Sequence, residues 1–340
     1  MTPQIKKPSR VTTDVDLDAD GKHFGFLNVP CSRNESAWGT VRIPIISIKR
    51  GNGATVLFTG GNHGDEYEGP IALLNLARSL EPKVLSGQVM IIPALNLPAV
   101  RAGTRLSPID SLNMNRAFPG DRTGSVTEMI AHYVYTEILP RVNAVVDIHA
   151  GGKTLSFVPS VVVHQLADQS LMEQTIAALK AFDAPLGLVL RELDNEGMLD
   201  TAVEEMGKIF LSTELGGGGT VTTQTVAIAD NGIQNVLRHF GLLQAAVPAG
   251  SVTTTRLMHT PDDGCYVMAD DSGIYEVLVD LGAEVAAGTA VGQIHFYQTP
   301  QRPPLVQCAS RPGTVVCRHF PGLVQVGDCL AVLATDYSLA

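Results

Sequence analysis

The stretch Gly60-Gly61-Asn62-His63-Gly64-Asp65-Glu66 decides the fold prediction, because it joins a predicted strand to a predicted helix. The apolar run at residues 54–58 is typical of a buried parallel strand, and residues 69–77 predict a helix. In open α/β sheets, ligands bind just outside the carboxyl ends of the strands. His63 and Glu66 are three positions apart, so both can reach one divalent cation, and a third ligand from a later strand would complete an open catalytic zinc site. The alternative is a polar loop whose side chains are merely solvated.

Predicted strands alternate with predicted helices up to about residue 245, which indicates an α/β fold. Such alternation favours a mixed, mostly parallel sheet that is covered by helices on both faces. The predicted strands are residues 40–48, 54–59, 88–93, 144–148, 155–164, 186–190 and 208–213. The predicted helices are residues 69–77, 125–139, 166–182 and 222–242, the second opened by the capping box Ser125-x-x-Glu128. Residues 94–120 are predicted to form a long functional loop with no helix of its own.

Beyond about residue 250 the sequence shows no helical periodicity, and short β-prone runs are broken by glycines. This change predicts two domains. Residues 1–250 are predicted to form the catalytic α/β domain, in which residues 1–22 form a loose or lightly docked arm. Residues 251–340 predict a smaller all-β, barrel-like domain, because two similar glycine-punctuated phrases begin at Gly273 and Gly313. This part resembles the biotinyl/lipoyl carrier domains, but the stretch at 298–304 between its halves lacks their lysine. We therefore expect a structural domain or a partner-facing lid there.

Composition excludes several classes of partner. The formal net charge of −10 argues against nucleic acid, which needs a basic surface, and against an anionic membrane. The five cysteines are widely spaced and form no Cys-x-x-Cys motif, so we expect a reducing compartment. No apolar run resembles a signal peptide or reaches the length of a membrane span. We expect a cytoplasmic protein.

Other polar residues follow predicted strands in the same way as His63 does. His149 comes directly after the strand at 144–148, and Glu214 comes directly after the strand at 208–213. With His149 as third ligand, one metal position stays open for water, and Glu214 could move that water's proton to the leaving nitrogen. Arg105 and Arg116 offer donors to a substrate carboxylate or a developing oxyanion. The alternatives are a surface carboxylate and ordinary surface ion pairs.

Four segments, in order, resemble the successive motifs of the succinylglutamate desuccinylase/aspartoacylase family, the acyl-amino-acid branch of the zinc carboxypeptidase fold. They are Gly61-Asn62-His63-Gly64-Asp65-Glu66, Asn115-Arg116-Ala117-Phe118-Pro119-Gly120, Asp147-Ile148-His149 and Glu214-Leu215-Gly216. The resemblance covers about residues 40–245. It implies one zinc ion per chain on His63, Glu66 and His149, with Glu214 as general base and acid. It further implies that Asn115 and Arg116 hold the substrate α-carboxylate, that Arg105 polarises the acyl carbonyl, and that the protein is a homodimer.

Within that family, the segments at 18–23, 36–39 and 62–73 are most similar to the ectoine-catabolic deacetylases, which act on Nα-acetyl-L-2,4-diaminobutyrate. Such a substrate carries a cationic side chain and needs an acidic partner, for which Glu192, Asp194 and Glu196 are the available cluster. A solvated helix start is the alternative for these three residues. The sequence also leaves open a desuccinylase, an aspartoacylase, a carboxypeptidase, or a non-enzymatic binding protein.

Overall fold

The computed structural model describes residues 8–191, 193–243 and 255–338. The helices in these ranges are α1 Glu68–Ser79, α2 Leu97–Ala102, α3 Val126–Tyr133, α4 Gln169–Phe182, α5 Leu199–Glu204 and α6 Thr223–His239. The strands up to the end of α6 are β1 Thr12–Thr13, β2 Gly21–Pro30, β3 Thr40–Arg50, β4 Thr55–Gly60, β5 Gly87–Ile92, β6 Ala144–Ile148, β7 Leu155–Phe157, β8 Ser160–Val163, β9 Leu186–Val189 and β10 Ile209–Glu214. The later strands are β11 Arg256–His259, β12 Tyr266–Met268, β13 Gly273–Val277, β14 Glu284–Val285, β15 Ala290–His295, β16 Leu305–Cys308, β17 Gly313–His319, β18 Leu323–Val324 and β19 Cys329–Asp336.

A large mixed sheet organises the fold. Its strand order is β1-β2-β3-β5-β4-β6-β10-β8-β9-β11-β19-β17-β14, and the central neighbours β5-β4-β6-β10 are parallel. Helices α1, α4 and α6 pack on one face, where Leu73, Ile176 and Ile233 join one apolar core. Helices α3 and α5 cover the other face, where Met129 and Val203 join a second core. The predicted α/β fold class is confirmed, with a mixed sheet between helices whose central strands are parallel.

Of the two alternatives predicted for residues 1–22, a loose or a lightly docked arm, the structure shows residues 8–22 docked on the domain. Val11, Val15 and Leu17 are buried in the core beneath α3, and β1 pairs with β2. These three apolar residues lie at odd positions in an otherwise polar segment, so the segment presents one apolar face to the core. Residues 1–7 lie outside the described ranges.

The segment at 94–120 is also more ordered than predicted, since it contains α2 and a short 3₁₀ turn at Met114–Arg116. Asn96 caps α2 through its side chain, which accepts from the amide of Ala99, and Gly103 ends the helix in the left-handed conformation. The capping box of Ser125 and Glu128 opens α3 as predicted.

The C-terminal strands continue the large sheet. Strand β11 pairs in parallel with β9, and β19 pairs with β11, so backbone hydrogen bonds link the two halves of the chain. A second antiparallel sheet, β16-β15-β13-β18, packs against this extension around a separate core that includes Val291, Ile294 and Leu333. Over the described residues, no helix is both long enough and apolar enough to cross a bilayer.

Candidate active site

His63 and Glu66 lie in the tight connection between β4 and α1. The chain leaves β4 through Gly61, whose φ of 64° lies in the left-handed region that favours glycine. A Cβ on Gly64 would lie 2.0 Å from the carbonyl carbon of Ala99 in α2, so only glycine fits there. The loop is thereby pressed against α2, and both His63 and Glu66 are buried.

His149 joins them because β6 is the parallel neighbour of β4. In the register of this pair, Gly60 lies opposite Ile148, so the residues that follow the two strands emerge side by side. Nδ1 of His63 lies 2.7 Å from Oε1 of Glu66, and Nδ1 of His149 lies 2.7 Å from Oε2. One donor atom from each residue lies within 4.8 Å of the others, and all three are buried. This group could hold a metal ion.

Asp147 supports His149 from within β6, a contact that the sequence analysis missed. Its Oδ2 lies 2.8 Å from Nε2 of His149 and accepts from Nδ2 of Asn62, while its Oδ1 accepts from the hydroxyl of Thr59. A carboxylate on the outer nitrogen fixes the orientation of a metal-binding imidazole and raises its basicity. The Asp-x-His spacing could have revealed this role, since residues i and i+2 of a strand face the same side.

A similar contact reaches the other imidazole. Oδ1 of Asn113 lies 3.1 Å from Nε2 of His63, so both rings present Nδ1 to Glu66 and Nε2 to an outer oxygen. This shared arrangement leaves the two Nδ1 atoms and the carboxylate of Glu66 as the donors that converge.

The charges at the site favour a cation. Burial alone would raise the pKa of Glu66, but the two neighbouring imidazoles outweigh it and lower that pKa. Burial lowers the pKa of His63. Burial acts the same way on His149, but Asp147 and Glu66 outweigh it and raise its pKa well above the usual value. The pKa of Asp147 is lowered because His149 and its hydrogen bonds outweigh its burial. Two ionised carboxylates therefore lie beside two imidazoles.

Glu214 lies at the same rim, as predicted. It is the last residue of β10, which pairs in parallel with β6 on the side away from β4. The amide of Leu215 donates to the carbonyl of His149, so the backbone after Glu214 is fixed against the metal-binding group. Glu214 and His149 line one cavity of about 230 Å³, which has a mixed polar and apolar wall.

Three further predicted residues line this cavity: Arg105, Asn115 and Arg116. Nη1 of Arg105 lies 3.3 Å from Nδ1 of His63 and 3.9 Å from Oε1 of Glu66, and its side chain is 48% exposed at the mouth. Asn115 is buried and accepts from the amide of Leu199 at the start of α5. The guanidinium of Arg116 donates to the side chain and carbonyl of Asp194 and to the carbonyl of Asn115.

The acidic cluster predicted to bind a cationic side chain does not lie in the cavity wall as far as the structure describes it. Asp194 is exposed and contacts Arg116, and Glu196 is exposed as well. Glu192 lies outside the described residues. The cavity instead meets two other acidic residues, Asp200 and Glu204 of α5, which the sequence analysis did not single out.

Comparisons with known proteins agree with this geometry. The model of the succinylglutamate desuccinylase/aspartoacylase catalytic domain matches residues 52–240. The chain is 43% identical, over 98% of its length and 97% of the relative's, to the N-alpha-acetyl-L-2,4-diaminobutyric acid deacetylase of Halomonas elongata. The product-bound structure of the ectoine utilization protein EutE (DoeB) from Ruegeria pomeroyi is 46% identical with a TM-score of 0.94, covering 97% of this chain and 99% of that one. A succinylglutamate desuccinylase structure from Silicibacter sp. TM1040 is 45% identical with a TM-score of 0.93, covering 98% of this chain and 100% of that one. The chain therefore belongs to the succinylglutamate desuccinylase/aspartoacylase family and is an amidohydrolase.

Proposed function

We propose that this protein is a zinc-dependent deacetylase that hydrolyses the amide of Nα-acetyl-L-2,4-diaminobutyrate in ectoine degradation. The observation that carries the proposal is the convergence of His63, Glu66 and His149 beside a cavity that the two histidines line together with Glu214 and Arg105. The proposed substrate is that of the Halomonas elongata deacetylase, which matches this chain along almost its whole length.

The donor set fits one zinc ion per chain, held by His63, Glu66 and His149. Two imidazoles and one carboxylate are a common catalytic zinc set that leaves a position open, and the outer contacts of Asp147 and Asn113 hold the two rings. When bound, zinc supplies a Lewis acid that lowers the pKa of a water and polarises a carbonyl.

The chain's own residues supply the proton transfer and the orientation of the substrate. Glu214 takes a proton from the attacking water and delivers it to the leaving nitrogen, since it lies at the cavity wall beside His149. Arg105 donates to the acyl oxygen as negative charge develops there. Asn115 and Arg116 bind the α-carboxylate, and Arg116 can release Asp194 because an exposed ion pair contributes little stability.

The remaining parts of the proposal rest on the sequence and on family resemblance. We place the enzyme in the cytoplasm and expect a homodimer. We assign catalysis to residues 1–250 and treat residues 251–340 as a β domain that completes the cavity wall, since Tyr266, Val316 and Val332 line it.

A kinetic comparison of three substrates tests the proposed activity. The zinc-loaded protein is assayed with Nα-acetyl-L-2,4-diaminobutyrate, N-acetylaspartate and N-succinylglutamate, and the first should give the highest kcat/KM. A higher value for either of the other two would assign the protein to that activity instead. Absence of hydrolysis with all three would favour a binding protein.

Two variants test the residue roles. Glu214→Ala should retain stoichiometric zinc and lose turnover by a factor of about 10² to 10⁴, the usual contribution of a general acid–base. His149→Ala should lose the metal on dialysis, measured by elemental analysis. Glu205→Ala removes an exposed carboxylate outside the cavity and serves as the matched control. Undiminished turnover in Glu214→Ala would remove that residue from the mechanism.

A further inference from the structure

Part of the cavity wall is formed by a cluster of three titratable residues on and beside α5. Asp200 and Glu204 are one helical turn apart on α5, so both face the same side. His164, which follows β8, lies beside them: its Nδ1 is 3.0 Å from Oε2 of Glu204, and its Nε2 is 3.8 Å from Oδ2 of Asp200. All three residues line the cavity that holds His149 and Glu214.

Among the described residues, the protein partners leave one of these two buried carboxylates, that of Glu204, incompletely hydrogen-bonded. The side chains of Asp200 and Glu204 are only 9% and 11% exposed. Among the described residues, nothing hydrogen-bonds the buried Oε1 of Glu204. Burial raises the pKa of Asp200 despite the nearby His164. Oδ1 of Asp200 accepts from the amide and hydroxyl of Thr201, whereas Oε1 of Glu204 still needs a cationic or hydrogen-bonding partner.

A second metal ion is a poor candidate for that partner. Over the described residues, the donor atoms that converge closely enough for a metal are those of His63, Glu66 and His149. Asp200, Glu204 and His164 are not among them, although each carboxylate contacts a different nitrogen of the His164 ring. An organic cation with several N–H donors fits this arrangement better, because each carboxylate accepts separately.

The position of α5 relates the cluster to the substrate. The amide of Leu199 donates to Oδ1 of Asn115, so the first turn of α5 lies directly against a residue proposed to bind the α-carboxylate. Asp200 is the next residue along. The same cavity is also lined by apolar residues, among them Leu188, Leu190 and Met198, which are available to pack against methylene groups. An amino acid anchored at Asn115 can therefore extend a short aliphatic side chain towards Asp200 and Glu204.

We propose that Asp200 and Glu204 bind the side-chain ammonium of the acylated amino acid and so determine the preference for a cationic substrate. The inference rests on the proposed deacylase function and adds the residues that select its substrate. Glu204 accepts from the ammonium through Oε1, and His164 keeps its contact with Oε2. Asp200 provides the second negative charge beside the same group.

The test compares a charged and an uncharged substrate of nearly the same shape. Wild type, Glu204→Gln and Asp200→Asn are assayed with Nα-acetyl-L-2,4-diaminobutyrate and Nα-acetyl-L-2-aminobutyrate, which lacks the ammonium. The ratio of kcat/KM for the charged over the uncharged substrate should fall about tenfold or more in each variant, because a charge-assisted hydrogen bond is lost. Glu205→Gln makes the same charge change at the exposed neighbouring position and should keep the wild-type ratio.

Binding by calorimetry gives a second readout that needs no turnover. Zinc-loaded wild type should bind L-2,4-diaminobutyrate more tightly than L-2-aminobutyrate, and Glu204→Gln should reduce that difference. Thermal unfolding and zinc content confirm that each variant is folded and loaded. An unchanged ratio and an unchanged difference in affinity in both variants would overturn the inference. Absence of hydrolysis by wild type would instead refute the proposed function, while the binding data would still decide the role of Glu204.

Discussion

Replacing Asp147 with asparagine isolates the charge of the buried carboxylate behind His149. The carboxylate makes three short contacts, to the hydroxyl of Thr59 at 2.7 Å, to Nδ2 of Asn62 at 2.8 Å and to Nε2 of His149 at 2.8 Å. Asparagine has nearly the same shape, and its oxygen can face Asn62 and His149 if its amide group turns towards the hydroxyl of Thr59. The contacts then remain, but the acceptor is neutral.

The expected loss of free energy follows from the two hydrogen bonds, to Asn62 and His149, that the side-chain oxygen keeps in Asp147→Asn. A hydrogen bond to a charged group contributes about 1 kcal/mol more than a neutral one, so two such bonds lose about 2 kcal/mol. A loss of that size in metal binding corresponds to roughly a thirtyfold weaker affinity. This agrees with the tenfold to hundredfold loss, roughly, that is typical when an outer partner of a metal-binding histidine is removed.

Two measurements check this expectation. A competition titration with a zinc chelator gives the affinity of wild type and Asp147→Asn, and denaturant unfolding of the metal-free proteins gives the change in stability. Thr59→Ser keeps the hydroxyl that donates to Asp147 and should leave the zinc affinity near the wild-type value. An Asp147→Asn protein that binds zinc as tightly as wild type would refute the assignment of Asp147 as the partner that orients His149.

Two further predictions concern residues that stabilise the structure around the site, Gly64 and Asp110. Gly64→Ala would place a Cβ against the backbone of Ala99 and should lower the free energy of unfolding by about 1–3 kcal/mol. Gly322→Ala, whose added Cβ meets open space, is the control and should not lower it. Equal melting temperatures of the two variants would contradict the close packing of the loop that contains Gly64. Asp110 accepts from the amide and hydroxyl of Thr127, and these bonds outweigh its burial and lower its pKa. Its contribution to stability is therefore full above the unfolded-state pKa, about 3.9, and is lost as the pH falls through the folded-state value. Urea unfolding should show a stability difference between wild type and Asp110→Asn at pH 6 that shrinks near pH 3, and a constant difference would contradict it.

The sequence predicted that His63, Glu66 and His149 lie at strand ends, because strand ends are recognisable from apolar runs followed by glycine and polar residues. It could not show that β4 and β6 are neighbours, which is what brings His63 and His149 together. That adjacency depends on the strand order of the whole sheet. The family resemblance, rather than the local sequence pattern, grouped His63, Glu66 and His149 as ligands of one zinc ion.

The features that the sequence did not reveal have physical causes too. Val11, Val15 and Leu17 are separated by polar residues, and the overall polarity of the segment concealed one buried face. Asp147 lies inside an apolar run, where a charged residue is informative because it is costly to bury. The acidic residues expected to bind a cationic side chain were sought at residues 192–196, before α5 begins. The structure shows Asp200 and Glu204 along the helix instead, and which helix face meets a cavity depends on tertiary packing.

The continuous pairing of β9, β11 and β19 affects how this enzyme could be re-engineered. A C-terminal region that is tethered only by a linker could be exchanged between relatives like a detachable module. Here an exchange would cut a row of backbone hydrogen bonds and would also replace the wall formed by Val316 and Val332. Chimaeras should therefore transplant β9 together with everything after it, and a change in substrate preference should accompany that transplant even when every residue at the metal centre is kept.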